Sequence, residues 1–187
     1  DFSAAGYNRF SQYYSGKRKF NNLSYTFGLN KTFGKSLSVT TNIGMAWRAP
    51  EAVELFSNGL DHGSAFFIQG NENLKTERGL KWTGRIQYAT DRLHLAAEGF
   101  VQKIHGFIYE MPTGEFKNTW GGFFPLSVYK QSDALLKGTD AELAYEIAPW
   151  MKYEAQFSSV YADNLSEKYY FPNIAPERFH HNIEFKL

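Results

Sequence analysis

The sequence predicts an all-β fold, an antiparallel transmembrane β-barrel portion of about eight long strands. Aromatic residues make up 18% of the chain while the mean hydropathy stays at -0.45, a combination that favours strands over a Leu- and Ala-rich helical protein. Several stretches alternate between apolar and polar residues, which is the period of a strand with two different faces. Short turns also alternate with long connections along the chain.

Three predicted hairpins carry the clearest alternation. In the central one, Trp82 and Ile86 alternate with Arg85 and Gln87, and the pattern resumes after a turn at residues 91–92. The other two hairpins cover residues 23–45, with a turn at 34–35, and residues 140–161, with a turn at 148–150. Further strands are expected at about residues 6–14 and 177–187.

Strand length and loop asymmetry indicate a membrane barrel. The alternating runs reach about 10 residues, which suits a tilted strand crossing a bilayer and exceeds the about 5 to 6 residues of an ordinary strand. The long connections, predicted at residues 47–76, 110–127 and 164–176, all fall at one end of the sheet. Short periplasmic turns and long extracellular loops are typical of outer-membrane barrels.

Composition excludes several other classes of protein. No stretch approaches the about 18 apolar residues of a membrane-spanning helix. Cysteine is absent, so disulfides and thiolate metal sites are excluded, and the 20 basic and 19 acidic residues are interspersed, so no nucleic acid partner is expected. The first residues lack the features of a signal peptide, and we therefore expect a fragment of a longer protein.

Two neighbouring segments resemble the TonB-dependent receptors. The first contains Arg48-Ala49-Pro50 followed by Glu54-Leu55-Phe56, and the second reads Gly70-Asn71-Glu72-Asn73-Leu74-Lys75-Thr76-Glu77, with Glu72 where the family usually has proline. The segment Lys137-Gly138-Thr139-Asp140-Ala141-Glu142 is also similar to a strand start of that family. The likeness covers nearly the whole chain after about residue 20.

The resemblance implies a nutrient receptor of the bacterial outer membrane. Its full barrel would have about 22 strands around an N-terminal plug, and residues 1–187 would be part of a single barrel domain. The implied partners are the TonB energy-coupling complex, acting through the missing plug, and outer-membrane lipid. The implied cargo is most often a ferric siderophore or haem, and no resident cofactor is expected.

Five residues of the long connections are candidates for cargo contact. Three of them, Asn58, Asp61 and His62, lie in the first long connection. The other two, Trp120 and Phe123, are aromatic residues of the second. The resemblance to haem receptors makes His62 a candidate iron ligand, and the alternative is a solvated loop residue. The aromatic pair suits a flat or apolar cargo, and the alternative is packing within the loop.

No residue pattern predicts a metal site or an enzyme. The adjacent His180 and His181 should point to opposite faces of one strand and therefore cannot share a metal ion. Nucleophile, phosphate-loop and paired-histidine motifs are absent from the sequence, so no catalytic residue is expected. Two alternatives to the receptor remain open: a self-contained eight-strand outer-membrane barrel, and a soluble, aromatic-rich β-sandwich that binds carbohydrate.

Overall fold

The computed structural model describes residues 2–7, 13–18, 20–167 and 170–186. The strand predicted at residues 6–14 falls partly on residues 8–12, which lie outside the described ones. Among the described residues, no helix has the length and apolar character needed to cross a membrane.

Strands account for nearly all of the regular structure. Beside one short helix, α1 (Ala52–Phe56), the strands are β1 (Phe2–Tyr7), β2 (Tyr13–Arg18), β3 (Tyr25–Phe33), β4 (Leu37–Arg48), β5 (Asn58–Asp61), β6 (Phe66–Gln69), β7 (Glu77–Ala89), β8 (Leu93–Thr119), β9 (Gly122–Ala148), β10 (Met151–Asn164) and β11 (Arg178–Phe185). The main sheet has the order β11-β10-β9-β8-β7-β4-β3, β5 and β6 are attached to it through β9, and β1 pairs with β2 separately. The predicted all-β, antiparallel sheet is thus confirmed.

The chain divides into two compact units. Unit 1 contains Asp1–Leu23, Trp47–Arg78 and His105–Asp133, and unit 2 contains Ser24–Ala46, Gly79–Ile104 and Ala134–Leu187. The three predicted hairpins supply most of unit 2, whereas unit 1 holds α1, β5, β6 and the long connections that carry the candidate site.

In unit 2, strand register sorts the side chains into a polar face and an apolar face. Gln156 lies opposite both Glu142 and His180, while the next residue, Phe157, lies opposite Ala141 and Phe179. The same register puts His180 and His181 on opposite faces, as the sequence predicts, because consecutive side chains of a strand alternate.

The apolar face of unit 2 is exposed, as is its polar face. Trp82 and Ile86 on β7 are 52% and 55% exposed, and Phe157 on β10 is 36% exposed. On the polar face, Arg85 lies 3.7 Å from a carboxylate oxygen of Glu98 and 3.6 Å from one of Glu142, so one cation joins three strands. A water-soluble sheet would bury its apolar face, so the exposure of Trp82 and Ile86 is unlike that of a water-soluble domain.

In unit 1, the connection predicted at residues 110–127 is not a loop, and that prediction is wrong. The segment instead extends β8 and β9 into a hairpin, in which the Thr113 hydroxyl donates to the Leu126 carbonyl at 3.0 Å. Gly114, which reads as a loop residue in the sequence, takes a φ of 78° inside β8. A glycine in this conformation is a common way to form an irregularity within a strand without ending it.

Gly138 of unit 2 lies beneath an aromatic ring. A Cβ at Gly138 would lie 2.5 Å from a ring carbon of Phe100 and 2.5 Å from the Ser159 carbonyl oxygen. The Phe100 ring in turn lies under the Lys81 ammonium, which is 4.5 Å from the ring centre. Gly138 is therefore required by close packing from two sides.

We expect Gly138→Ala to destabilise the fold by about 1–3 kcal/mol, because overpacking forces the Phe100 ring and the β10 backbone to move. The measurement is the urea midpoint of the protein in detergent. Gly59→Ala is the control, since a Cβ at Gly59 meets no atom within 4 Å, and it should change stability by less than about 0.5 kcal/mol. Equal midpoints for both variants would contradict this packing argument.

Candidate functional site

Unit 1 is organised around one arginine held by two carboxylates. Arg48 ends β4, and its Nε donates to Glu77 at 2.8 Å while its Nη1 donates to both Glu54 oxygens at 2.9 and 3.0 Å. Glu54 and Glu77 are buried, with 8% and 9% exposure. The planar guanidinium presents several donors in a fixed geometry, so one side chain can hydrogen-bond to both carboxylates.

Each carboxylate also accepts a hydrogen bond from the backbone. Glu54 accepts from the Glu51 amide at 2.7 Å, which closes the first turn of α1, and Glu77 accepts from the Ile108 amide on β8. Arg48, Glu54 and Glu77, here called the arginine clamp, thus tie the end of β4, helix α1, the start of β7 and strand β8 together. Its members belong to the motifs that carry the family resemblance.

The segment after β6 packs directly on α1. The Gly70 amide donates to the Ser57 carbonyl at 2.7 Å, and the Asn71 amide donates to the Glu54 carbonyl at 2.8 Å. A Cβ at Gly70 would lie 2.6 Å from the Leu55 carbonyl carbon, so only glycine permits this approach. Beneath it, Leu55 packs with Leu74 and Ile108 in the buried core of unit 1.

A polar cleft of about 470 Å³ lies between α1 and this segment. Its lining is mostly uncharged and polar, and consists of Leu55, Phe56, Ser57, Asn58, Gln69, Gly70, Asn71, Glu72 and Asn73. Asn71 has a structural role, because its side-chain amide donates to the Tyr129 carbonyl and its oxygen accepts from the Asn73 amide. The other amides face the cleft from its rim.

The structure places three of the five candidate residues on the β5–β6 hairpin. Asn58 begins β5 opposite Gln69 and lines the cleft, whereas Asp61 ends β5 and the exposed His62 follows in the turn. Asp61 is engaged in the turn itself: it accepts from the Gly63 amide at 3.1 Å, the Ser64 amide at 3.2 Å and the Ser64 hydroxyl at 2.7 Å. Asp61 therefore shapes the hairpin.

The other two candidates lie at the tip of the β8–β9 hairpin. Trp120 occupies the turn with 93% exposure, and Phe123 follows on β9 with 72% exposure. The alternative of packing within the loop is not supported by these exposures. Phe116 on the neighbouring strand is 67% exposed, so the tip displays three aromatic side chains.

The two hairpins are joined by the pairing of β6 with β9 and not through the five candidates. β6 pairs in parallel with β9, so that Phe67 lies opposite Leu126, and the Lys117 ammonium lies 5.7 Å from the centre of the Phe67 ring. Within the part of the chain that the structure describes, no three His, Cys, Asp or Glu side chains come together as a metal site.

Sequence reasoning missed the arginine clamp and most of the cleft. Arg48, Glu54 and Glu77 lie in the motifs that carry the family likeness, and the combination of one arginine and two glutamates in these motifs is the sequence signal for an ion-pair network. Gln69 and Asn73 carried no sequence signal, because they reach Asn58 only through the folding of the β5–β6 hairpin and the following turn.

Long antiparallel strands with an exposed apolar face and a charged opposite face define a segment of a membrane β-barrel. The family described as TonB dependent receptor-like, beta-barrel matches residues 1–180, and the chain therefore belongs to this family of receptors and transporters. The family resides in the outer membrane of Gram-negative bacteria. The soluble β-sandwich alternative is thereby wrong.

Solved structures of this family share the fold. The copper transporter OprC superposes with a TM-score of 0.69 at 20% identity, over 86% of this chain and 24% of its own. The siderophore receptor PirA from Pseudomonas aeruginosa gives a TM-score of 0.61 at 17% identity, over 76% of this chain and 28% of its own. The FrpB iron transporter from Neisseria meningitidis gives a TM-score of 0.52 at 16% identity, over 76% of this chain and 20% of its own.

This chain spans about a quarter of the length of such proteins. None of the curated protein sequences matches it.

We expect Arg48→Ala to destabilise unit 1 by about 1–3 kcal/mol, because it leaves two buried carboxylates without their cation. The lower figure allows for the 38% exposure of the Arg48 side chain. Hydrogen exchange at the Ile108 amide is the measurement, and protection should fall by about one to two orders of magnitude. Lys137→Ala is the matched control, since it breaks the exposed Lys137–Asp163 pair and should cost less than about 1 kcal/mol. Unchanged protection in Arg48→Ala would contradict the role of the clamp.

The stability of the turn that follows β5 should decrease as the pH is lowered, because the turn is held by the ionised Asp61 carboxylate. The Ser64 hydroxyl, and after it the Gly63 amide, lowers the pKa of Asp61. The stabilisation is therefore complete above the unfolded pKa of about 3.9 and is lost as the pH falls through the lower folded pKa. An NMR titration of the Asp61 carboxyl should give a midpoint below about 3.9, and Ser64→Ala should raise it. A midpoint that Ser64→Ala leaves unchanged would contradict this account.

Proposed function

We propose that this chain is part of a bacterial outer-membrane receptor that takes up a scarce nutrient with energy supplied through TonB. In this proposal residues 1–187 are one portion of a single barrel domain, surrounded by outer-membrane lipid. The cargo is a ferric siderophore or haem, and the TonB complex acts through a plug segment. The chain serves transport and is not an enzyme.

The observation that carries the proposal is the exposed apolar face of unit 2, which lies opposite a charged face. Exposed Trp82, Ile86 and Phe157 suit contact with lipid, while the Arg85–Glu98–Glu142 network requires a hydrated interior. A charged inner face in a water-filled lumen is what a transport pathway needs, and membership of the receptor family supports the same function. The self-contained barrel is the weaker proposal, because the matched relatives are much longer transporters.

The descriptions of two relatives support an iron-containing cargo, and that of a third names copper. PirA is described as a siderophore receptor and FrpB as an iron transporter, whereas OprC is described as a copper transporter. The same fold therefore accommodates different cargo, and selectivity has to come from the residues of unit 1. Iron is the proposed cargo because FrpB is described as an iron transporter and PirA as a receptor for siderophores, which are iron chelators.

We assign distinct contact roles to the five candidates. Trp120 and Phe123 offer exposed rings on which a flat ligand can stack. His62 is exposed in the β5–β6 turn and can reach an incoming iron complex, and Asp61 beside it fixes the shape of that turn. Asn58 contributes an amide to the cleft. The first contact with cargo would thus be made by unit 1.

The test is growth of the source bacterium on defined iron sources, with the receptor gene deleted and then restored as the wild type or as a variant. Deletion should abolish growth on one siderophore or on haem, and the wild type should restore it. Trp120→Ala and His62→Ala should each reduce uptake of that source about threefold to tenfold, since each removes one favourable ligand contact.

Phe27→Ala provides the control, because Phe27 is an exposed aromatic residue of unit 2 on β3, outside the proposed cargo surface. It should leave uptake within about twofold of the wild type when the amount of receptor in the membrane is matched. Growth of the deletion strain on every iron source would refute iron as the cargo. Unchanged uptake in both unit 1 variants would remove Trp120 and His62 from the contact surface.

A further inference from the structure

The exposed apolar face of unit 2 carries a groove whose floor is made of small residues. One depression of about 400 Å³ includes Gly99 on β8 and Ser159 on β10. A second depression of about 510 Å³ includes Ala97, Ala141 and Ala155 on β8, β9 and β10. Gly99 and Ala97 are neighbours on one face of β8, about 7 Å apart, so the two depressions adjoin. Together they are called the apolar groove, and each is within the size range of ligand sites.

Large side chains stand beside this floor. Trp82 on β7 and both Phe157 and Tyr161 on β10 line the apolar groove, and all three are exposed. Two of them have partners for their polar ends: the Trp82 indole N–H donates to the Thr41 hydroxyl at 2.9 Å, and the Tyr161 hydroxyl donates to Glu177. The groove therefore presents mainly hydrocarbon to whatever covers it.

One buried hydroxyl of the floor has no hydrogen-bond partner. Ser159 is 7% exposed, and within the ranges that the structure describes its hydroxyl bonds to no other group. Because side chains alternate along a strand, Ser159 shares the face of Phe157 and Tyr161 and opens into the apolar groove. A buried hydroxyl without a partner costs free energy, and the hydrocarbon of a bilayer supplies none. A ligand that brings an acceptor atom would therefore be favoured at this position.

The apolar groove begins at the border of the membrane band. Residues 137–147 of β9 cover about 33 Å along the strand, which gives about 25 Å for a strand tilted by about 40°, the height of the apolar band of an outer-membrane barrel. Lys137, at one end of this stretch, lines the groove, and its Nζ lies 3.0 Å from a carboxylate oxygen of the exposed Asp163. Ser159 lies opposite Thr139, two residues further along β9. The groove thus passes from a charged pair through a hydroxyl to a hydrocarbon floor.

We infer that the apolar groove binds one acyl chain of a membrane lipid, with the acyl carbonyl accepting a hydrogen bond from Ser159 and the hydrocarbon lying over the alanines of the floor. This assignment rests on the proposed function, which places the apolar face against lipid. An acylated lipid has its headgroup, its carbonyl and its chain in the same order as the charged pair, the hydroxyl and the floor. Since lipid tails are as apolar as the groove, selectivity comes from this hydrogen bond and from close packing.

A second copy of this chain is a poorer occupant. Its own apolar face exposes large side chains such as Ile86, Val101 and Phe157, which carry no acceptor for the Ser159 hydroxyl. An acyl carbonyl is the better match, and coverage by a second copy is one outcome of the test.

The test uses the full-length receptor in vesicles of an ether-linked dialkyl phosphatidylcholine that contain a small fraction of a brominated, ester-linked diacyl phosphatidylcholine. The ether lipid has the same headgroup and no acyl carbonyl. A bimane fluorophore is attached at Leu95→Cys, which lines the groove, with any cysteine elsewhere in the receptor replaced by serine. A second label at Ile43→Cys reports the same face outside the groove. Bromine quenches the fluorophore on contact, so quenching against the fraction of brominated lipid gives the local preference for the acyl lipid.

The label at Leu95→Cys should show a preference of about threefold to tenfold for the ester-linked lipid, which is the effect of one hydrogen bond within a membrane. The label at Ile43→Cys should show none. Ser159→Ala should remove the preference at the first label. Ser158→Ala is the matched control, because it removes a hydroxyl from the opposite face of the same strand, and it should leave the preference unchanged.

A second pair of variants tests the floor. Ala155→Phe fills it and should reduce the quenching at Leu95→Cys. Leu29→Phe adds bulk to β3 outside the groove and should not. Far-ultraviolet circular dichroism of each variant checks that it is folded.

The outcomes separate the acyl-chain site from the proposed function. A preference that is equal at both labels, or one that survives in Ser159→Ala, would overturn the site and leave the receptor function standing. Absence of quenching at Leu95→Cys beside normal quenching at Ile43→Cys would mean that protein, such as a second copy, covers the groove, and would also overturn the site. Absence of quenching at both labels would place this face away from lipid and overturn the proposed membrane receptor as well.

Discussion

The alternation of side chains along the strands of unit 2 is the constraint on which the account depends. A strand in a membrane has to place apolar groups toward lipid and polar groups toward water at every second residue, since a charge at the bilayer midplane costs about 2–4 kcal/mol. The register of β9, β10 and β11 keeps this order across strands: Phe157 meets Ala141 and Phe179, and Gln156 meets Glu142 and His180. A shift by one residue would exchange the two faces.

Unit 1 depends on a different interaction, the arginine clamp. The motif residues Arg48, Glu54 and Glu77 are engaged with one another and with the backbone, so their chemistry serves the fold and not a ligand. By fixing α1 beside the segment that begins at Gly70, the clamp forms the cleft whose rim carries free amides. The motifs that carry the likeness to the receptor family thus build the scaffold of unit 1.

Much of this fold follows from sequence period. The three hairpins and the opposite orientation of His180 and His181 could be predicted, because alternation over ten residues outweighs local propensity. The β8–β9 extension could not, since Gly114 and the glycines near residue 121 read as breakers while the structure uses them within or between paired strands. Of the residues that line the cleft, only Asn58 could be singled out from the sequence, because the other amides are brought beside it by tertiary folding.

The most direct measurement of the face assignment is a scan of nitroxide labels along residues 80–89 of the full-length receptor in lipid. The chain contains no cysteine, so each label site in it would be unique. Collision rates with oxygen, which dissolves in lipid, should be high at Trp82 and Ile86, and those with a hydrophilic nickel chelate should be high at Thr83 and Gln87. A period of two, with the two reagents out of phase, is the predicted result. Equal access of the nickel chelate to both sets would contradict a lipid-facing apolar surface.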